Sequence, residues 1–181
     1  MDLQDVLFNS GTKNLSGIKT RVYIAKYDDI ETWPTWPDWS TANQDELAVL
    51  TGEFTMAVGK YFHQIYTTIE KGKIECDVEG GTDHGGWRNK VTIAYPQNNA
   101  EALGLAAYLT NGEFVLIVEE PATGNKRVIG NNYATGARRM EGKSSSGDQL
   151  TSDKGVGITF FDVANEPAPI YEGEIPLEDV S

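Results

Sequence analysis

The chain has 181 residues, of which 15 are lysine or arginine and 27 are aspartate or glutamate, so its formal net charge is -12. Hydrophobic residues make up 39% of the chain, which is enough to build one packed domain and too many for a disordered protein. The charge argues against wrapping nucleic acid or docking on anionic lipid, because both need basic residues that neutralise negative groups. The single cysteine, Cys76, excludes an intrachain disulfide and a cysteine-rich metal site.

The first quarter of the chain divides into an arm, a strand and a long excursion. Residues 1–17 are polar and are expected to form an N-terminal arm, followed by one β domain over residues 18–175. Residues 18–25 (IKTRVYIA) alternate apolar and polar side chains, which is typical of a strand. Residues 27–45 carry three tryptophans and two prolines. Prolines at this spacing exclude a helix interior or a central strand, so an ordered loop is expected.

The middle of the chain is predicted to be β structure. Residues 50–58 alternate in the manner of a strand, and residues 61–78 predict a β-hairpin with its turn at residues 71–73. Residues 79–87 are rich in glycine and predict a loop, and residues 88–95 predict a further strand.

One helix is predicted over residues 99–109. Asn98 is a suitable N-cap and Glu101 follows three residues later, which matches a capping box with asparagine in the Ser/Thr place. Apolar residues four apart continue the helical pattern, and Asn111 and Gly112 tolerate the left-handed backbone that ends helices.

The last third predicts a second hairpin, a long loop and a final core strand. The hairpin consists of residues 113–119 and 126–130, and residues 136–155 form a long polar loop. Residues 156–163 predict the core strand, and residues 176–181 form an acidic C-terminal tail. The fold class expected from these elements is mainly β: an antiparallel β-sandwich or barrel with one flanking α-helix and long loops.

Few residues suggest catalysis. Asp83 and His84 lie beside two glycines. They could form half of a metal or acid–base site, or they could belong to a solvated turn. The turn is favoured because no convergent partner is visible. Cys76 alternates with Ile74 and Val78, which favours a small buried residue over a nucleophile. No catalytic, metal or cofactor-binding residue is therefore expected, and the protein is not expected to be an enzyme.

Two groups of side chains are candidates for an interface: Trp33, Trp36 and Trp39, and Arg127, Arg138 and Arg139. Packing within the domain or against a neighbouring subunit is the favoured interpretation of the tryptophans, because interfaces are enriched in tryptophan. Stacking on sugar rings is the alternative. The arginines suit either a charge-complementary contact with the acidic tail of another copy or an ordinary solvated patch.

The order of these elements resembles that of the tail tube proteins of tailed bacteriophages, particularly phages of Bacteroidetes hosts. The resemblance extends over about residues 17–175. It rests on the following segments: 17–25, 27–30, 59–70, 79–81, 99–109, 114–118, 127–130, 157–160 and 168–173.

The resemblance implies a non-enzymatic virion structural protein. Members of the family form hexameric rings whose strands join into one inner barrel, and the stacked rings conduct the phage genome. The expected partners are therefore further copies of the chain and neighbouring tail or connector proteins, in a virion assembled in the host cytoplasm. DNA would pass without specific binding through an acidic lumen. The predicted hairpin would line that lumen with Tyr61, Gln64, Tyr66, Thr68, Glu70, Lys73, Glu75 and Asp77.

Two alternatives stay open at this point. The excursion over residues 27–45 is long for a minimal tube protein, which would suit a connector, collar or tail-terminator ring at the head–tail junction. The alternative from another class is a carbohydrate-binding β-sandwich module that uses the three tryptophans of the excursion.

Overall fold

The structure is a computed structural model that describes residues 15–81, 83–131, 135–147 and 154–178. These residues form twelve strands, one α-helix (α1) and two short 3-10 turns. The strands are β1 (Arg21–Lys26), β2 (Ile30–Thr32), β3 (Val49–Leu50), β4 (Thr55–Met56), β5 (His63–Tyr66), β6 (Lys73–Gly81), β7 (His84–Tyr95), β8 (Phe114–Glu119), β9 (Lys126–Ile129), β10 (Arg138–Ser145), β11 (Gly155–Ala164) and β12 (Ile170–Tyr171). The helix spans Ala100–Tyr108, and the 3-10 turns span Tyr27–Asp29 and Glu46–Ala48.

The strands form two main sheets and one small one. The six-stranded sheet has the order β3-β12-β9-β8-β1-β5, the four-stranded sheet has the order β10-β11-β7-β6, and β2 pairs with β4. All named pairs are antiparallel except that of β12 with β3. The predicted mainly β fold with antiparallel sheets and one helix is confirmed.

The larger hydrophobic core lies between the two main sheets. Val22 and Leu116 of the six-stranded sheet pack in one cluster with Val91 and Phe160 of the four-stranded sheet. Ala102 and other helix residues belong to the same cluster. The helix therefore flanks the interlayer core, as the predicted fold class requires.

A second core lies on the other face of the six-stranded sheet. Strand β8 is an uninterrupted apolar run, and its residues 114–118 are all buried. Alternate residues of this run point to opposite faces, so Leu116 belongs to the interlayer core and Ile117 to the second cluster. Phe54 and Tyr171 complete the second cluster, with ring centroids 5.0 Å apart. A strand buried on both faces explains the unbroken apolar sequence.

The helix begins one residue later than predicted. Asn99, and not Asn98, is the N-cap, because its side chain accepts a hydrogen bond of 2.9 Å from the backbone N–H of Ala102. The Asn98 amide instead donates to the carbonyl of Ser145 on the edge strand β10. Two adjacent asparagines can each cap this helix by sequence, and the contact with β10 decides between them.

The predicted hairpin over residues 61–78 is wrong. Strand β5 pairs with β1 in the six-stranded sheet, whereas β6 pairs with β7 in the four-stranded sheet. The chain changes sheets at Thr67 and Thr68. The Thr67 N–H donates to the Thr20 carbonyl of one layer, and the Thr68 N–H donates to the Ala94 carbonyl of the other.

Three further boundaries differ from the prediction. Of the predicted loop over residues 79–87, residues 79–81 and 84–87 form the paired ends of β6 and β7, and residues 138–145 of the predicted long loop form the edge strand β10. Glycine-rich and polar strands of this kind have no apolar alternation to reveal them. The predicted strand over residues 50–58 is reduced to parts of β3 and β4.

Other predicted elements are confirmed or lie partly outside the described residues. The hairpin of β8 and β9 and the final core strand β11 are confirmed. Residues 1–14 of the predicted N-terminal arm and residues 179–181 of the predicted acidic tail lie outside the described residues. At the described start of that tail, the Pro176 carbonyl accepts a hydrogen bond of 2.9 Å from the Phe62 N–H.

Candidate functional site

One face of the four-stranded sheet points away from the core, and its part on β6 and β7 is charged and polar. Val91 and Ile93 of β7 face the core, so Lys90 and Thr92, which alternate with them, face outward. In the same way, Ile74 and Cys76 of β6 pack against the core, and the charged residues that alternate with them face outward. Ion pairs cover this part of the sheet: Lys90 pairs with Asp77 and Arg88 with Glu79 across the two strands at 2.7 Å each, and Lys73 pairs with Glu75 along β6 at 2.9 Å.

Both edges of this sheet are long strands without a partner strand among the described residues. The sheet ends at β6 on one side and at β10 on the other. Strand β6 carries one lysine and three acids, a formal charge of -2. Strand β10 carries three basic residues and one glutamate, a formal charge of +2. The two free edges are therefore opposite in charge.

The two edges are displaced along the strand direction. Lys90 of β7 is opposite Glu75 of β6 on one side and opposite Phe161 of β11 on the other, and Phe161 is opposite Arg138. Glu75 and Arg138 therefore lie at one level of the sheet. From this level β6 continues towards Gly81 and β10 continues the opposite way, towards Ser145. The sheet is staggered, as a sheet that closes into a barrel has to be.

The residues predicted to line a lumen are divided between the two sheets. Lys73, Glu75 and Asp77 lie on the outward face of β6. Gln64 and Tyr66 lie on β5, at the edge of the six-stranded sheet. The others lie between or before these strands: Tyr61 precedes β5, Thr68 binds the Ala94 carbonyl, and Glu70 occupies the turn with a φ of 62°.

The predicted arginine cluster is also divided. Arg127 on β9 donates to Glu120 at 2.9 Å and to the Ala168 carbonyl at 2.7 Å. Arg138 on β10 pairs with Glu113, whose pKa is lowered mainly by that contact. Arg139 donates to the Thr110 carbonyl at the end of the helix.

The three predicted tryptophans have three different environments. Trp33 packs in the second core, with its ring centroid 4.6 Å from that of Tyr27 and 5.8 Å from that of Phe54. Trp36 is half-buried against the same cluster. Trp39 is 54% exposed. The packing interpretation is therefore confirmed for Trp33, whereas Trp39 presents its side chain to solvent.

Trp36 and Trp39 line a cleft of about 760 Å³ at one end of the four-stranded sheet. Its other walls are the tip of the β6–β7 hairpin and the end of β11 with the turn that follows. The Trp39 indole donates a hydrogen bond to the Glu166 carboxylate across the cleft. Burial raises the pKa of Glu166, and this hydrogen bond opposes the rise.

Glycines at the hairpin tip leave space for this cleft. Gly80 has a φ of +117°, and a Cβ there would lie 2.4 Å from the His84 carbonyl oxygen. A Cβ on Gly86 would lie 3.3 Å from the Ala164 carbonyl oxygen. A hairpin tip with ordinary side chains would therefore be displaced or would fill the space between β7 and β11.

A buried polar network beside the cleft was not predicted. Asp162 on β11 accepts hydrogen bonds from the Gly130 N–H at 2.6 Å and from the Asn89 side chain at 2.9 Å. Asn89 also accepts a hydrogen bond from the Ala168 N–H. Burial is the main cause of the raised pKa of Asp162, and its hydrogen bonds oppose that rise. The sequence signal is that Asn89 and Asp162 are polar residues at core-facing positions of their strands.

The residues considered for catalysis do not converge. His84 lies at the rim of the cleft, Asp83 is an exposed turn residue, and burial raises the pKa of the Cys76 thiol. Within residues 15–81, 83–131, 135–147 and 154–178, no three histidine, cysteine or acidic side chains are grouped so that they could hold a metal ion. In the same part of the chain, no helix has the length and apolar character to cross a membrane.

Comparison with known proteins adds no relative. No protein-family model, curated protein or solved structure matches the chain.

Proposed function

We propose that the protein is a non-enzymatic virion structural subunit of the phage tail tube type, which assembles with further copies of itself into a ring around a DNA conduit. The observation that carries the proposal is the four-stranded sheet, whose two unpaired edges are long, staggered and opposite in charge. A connector, collar or tail-terminator ring would use the same surfaces, and the number of subunits separates a connector from a tube or terminator.

Ring closure would pair every free edge of this sheet. Unpaired edge strands are templates for association, and a closed barrel removes them. Because the four strands alternate in direction, β6 runs antiparallel to β10. Copies related by rotation about the barrel axis would therefore bring β6 of one copy beside β10 of the next as an antiparallel pair, the more stable arrangement.

The edge charges favour a ring over a two-fold dimer. A two-fold contact would pair β6 with β6 or β10 with β10, and like charges would then face each other. A β6–β10 contact pairs a charge of -2 with one of +2. The carboxylates of Glu75 and Asp77 on β6 are 46% and 54% exposed despite their ion pairs within the chain. They can therefore accept a second cation from a neighbour.

The outward face of the sheet suits a conduit that does not hold DNA. Lys73, Arg88 and Lys90 are each bound to a carboxylate, and a paired cation attracts phosphate less than a free one. In this proposal the acidic lumen expected from the sequence becomes a surface of mixed charge, because bases and acids alternate across β6 and β7.

Assembly is tested first by light scattering and negative-stain electron microscopy over a concentration series of the full chain. The expected result is rings or tubes with a central hole. Sixfold symmetry would support a tube or terminator role, and another symmetry a connector role. A monodisperse monomer at every concentration would overturn the proposal.

Charge reversal tests whether β6 and β10 form the contact. The β10 variant Arg138→Glu/Lys143→Glu gives both edges a charge of the same sign, and we expect it to remain monomeric. The β6 variant Glu75→Lys/Asp77→Lys should also remain monomeric, because both edges then carry a positive charge. Combining all four substitutions reverses both edges and should restore rings.

A matched control separates the edge effect from the change in net charge. The variant Lys19→Glu/Lys60→Glu makes the same change in net charge as the β10 variant but alters residues outside the four-stranded sheet. It should assemble like the wild type. Circular dichroism and thermal unfolding verify that each variant folds. Rings that persist in both edge variants, or a combined variant that stays monomeric while folded, would contradict the β6–β10 contact.

A further inference from the structure

We infer that the cleft between Trp39, the β6–β7 hairpin tip and Glu166 is a binding site for a neutral oligosaccharide. This inference does not depend on ring assembly. It concerns a different surface, formed where the excursion, the hairpin tip and the end of β11 meet.

Trp39 provides an exposed aromatic surface. Its side chain is 54% exposed, although large apolar side chains are usually covered. The Glu166 carboxylate is a hydrogen-bond partner of the indole, and the exposed part of the ring is available for contact with a ligand. The apolar C–H faces of pyranose rings pack on such aromatic surfaces.

Polar groups that suit hydroxyls surround this ring. Glu166, Asn131 and Asn165 line the cleft together with His84. Their carboxylate, amide and imidazole groups provide both acceptors and donors, and sugar hydroxyls need both. A site with one exposed aromatic and several polar groups is the usual arrangement for an amphipathic ligand. The volume of about 760 Å³ lies within the range of roughly 300–1,000 Å³ for small-molecule sites.

The charge balance favours a neutral ligand over a cation. Of the two carboxylates that line the cleft, Glu79 is paired with Arg88 at 2.7 Å. Glu166 accepts the indole N–H, and its pKa is raised by burial. Both carboxylates therefore already have a partner within the chain, which favours a ligand without a cationic group.

The test uses an array of immobilised oligosaccharides built from hexoses, deoxyhexoses and N-acetylhexosamines, followed by isothermal titration with the sugars that bind. We expect Trp39→Ala to weaken binding about tenfold or more, as truncation of an aromatic anchor does. We expect Glu166→Gln to weaken it by about fivefold, the effect of one hydrogen bond. Tyr66→Ala removes an aromatic residue that is 44% exposed on β5 and does not line the cleft, and it should bind like the wild type.

Light scattering of the same samples records assembly independently. Binding that is lost in Trp39→Ala and kept in Tyr66→Ala supports the site, whether or not the protein forms rings. Absence of binding across the array overturns it, as does binding that neither cleft variant weakens. Loss of ring assembly in Trp39→Ala without any sugar binding would also overturn it, because the cleft would then be a contact between subunits.

Discussion

Replacing Asp162 tests whether the buried polar network holds one end of the sandwich together. Asp162→Ala would leave the Gly130 N–H without its acceptor at 2.6 Å. It would also remove one of the two acceptors of the Asn89 amide, which keeps a contact of 3.3 Å with the Glu166 carbonyl. Hydrogen bonds to a charged group contribute about 1.5–3 kcal/mol each, and removing a buried carboxylate offsets part of that loss. We expect a net loss of about 2–4 kcal/mol in the free energy of unfolding.

Urea unfolding followed by circular dichroism measures this loss. With an m-value of about 2 kcal/mol per molar, the midpoint should fall by about 1–2 M. The control Asp77→Ala removes an outward-facing carboxylate of the same sheet that is 54% exposed, and its midpoint should stay near that of the wild type. If Asp162→Ala shifts the midpoint no more than Asp77→Ala does, the network does not stabilise the fold.

The pH dependence gives an independent test of the same residue. Burial raises the pKa of Asp162 in the folded state, so the folded protein keeps this proton at pH values where the unfolded chain, with a pKa of about 3.9, has lost it. This contribution to stability is present below the unfolded pKa and is lost as the pH rises through the folded pKa. The stability difference between wild type and Asp162→Asn should therefore be largest at and below the unfolded pKa and should decrease as the pH rises through the folded pKa. A difference that is constant or grows with pH would contradict this reasoning.

Two further substitutions test local geometry by thermal or urea unfolding. Gly130→Ala should cost about 3 kcal/mol or more, because φ is +87° and the new Cβ would lie 2.3 Å from the Phe114 carbonyl oxygen. Gly124→Ala is the control with a similar φ of +74° but open space, and it should cost only the backbone strain of about 1 kcal/mol. Asn99→Ala should cost about 1 kcal/mol as the loss of an N-cap, and an unchanged stability would mean that Asn99 does not cap the helix.

The elements with a clear apolar pattern could be predicted from the sequence. Val91 and Ile93 in β7 and Ile158 and Phe160 in β11 alternate with polar residues, and both strands were predicted close to their observed positions. Residues 113–119, which contain the apolar run 114–118, were likewise predicted as a strand of the second hairpin. In these segments the sequence pattern matches the side of the sheet that is buried.

Pairing between strands could not be predicted in the same way. The turn at residues 71–73 favoured a local hairpin, but the backbone groups of Thr67 and Thr68 bind opposite layers, a non-local choice that no local pattern reveals. Strand β10 was predicted to be part of a loop because it is charged and polar. Those are the properties that keep a sheet edge soluble.

Part of the candidate site was also visible in the sequence. Trp39 could be identified from the sequence, but the residues that share the cleft with it could not. Glu166 lies more than a hundred residues further along the chain, and the β6–β7 hairpin was predicted to be a loop at this point. Asp162 carried a detectable signal, since it is an acid at a core-facing position between Phe160 and Ala164. Its alternative position on the outward face would have needed a one-residue shift of β11 that exposes Phe160.

The two charge properties of the chain act on assembly in opposite directions. The net charge of -12 repels copies over long distances, whereas β6 and β10 attract each other only where their side chains touch. At about 0.15 M salt the Debye length is about 8 Å, so repulsion across whole subunits is screened more strongly than ion pairs in contact. Moderate salt should therefore favour ring closure, and molar salt should weaken the ion pairs as well. The charge-reversal variants are best compared near 0.15 M salt. Under this condition, whether the charges of β6 and β10 are opposite or alike should decide whether rings form.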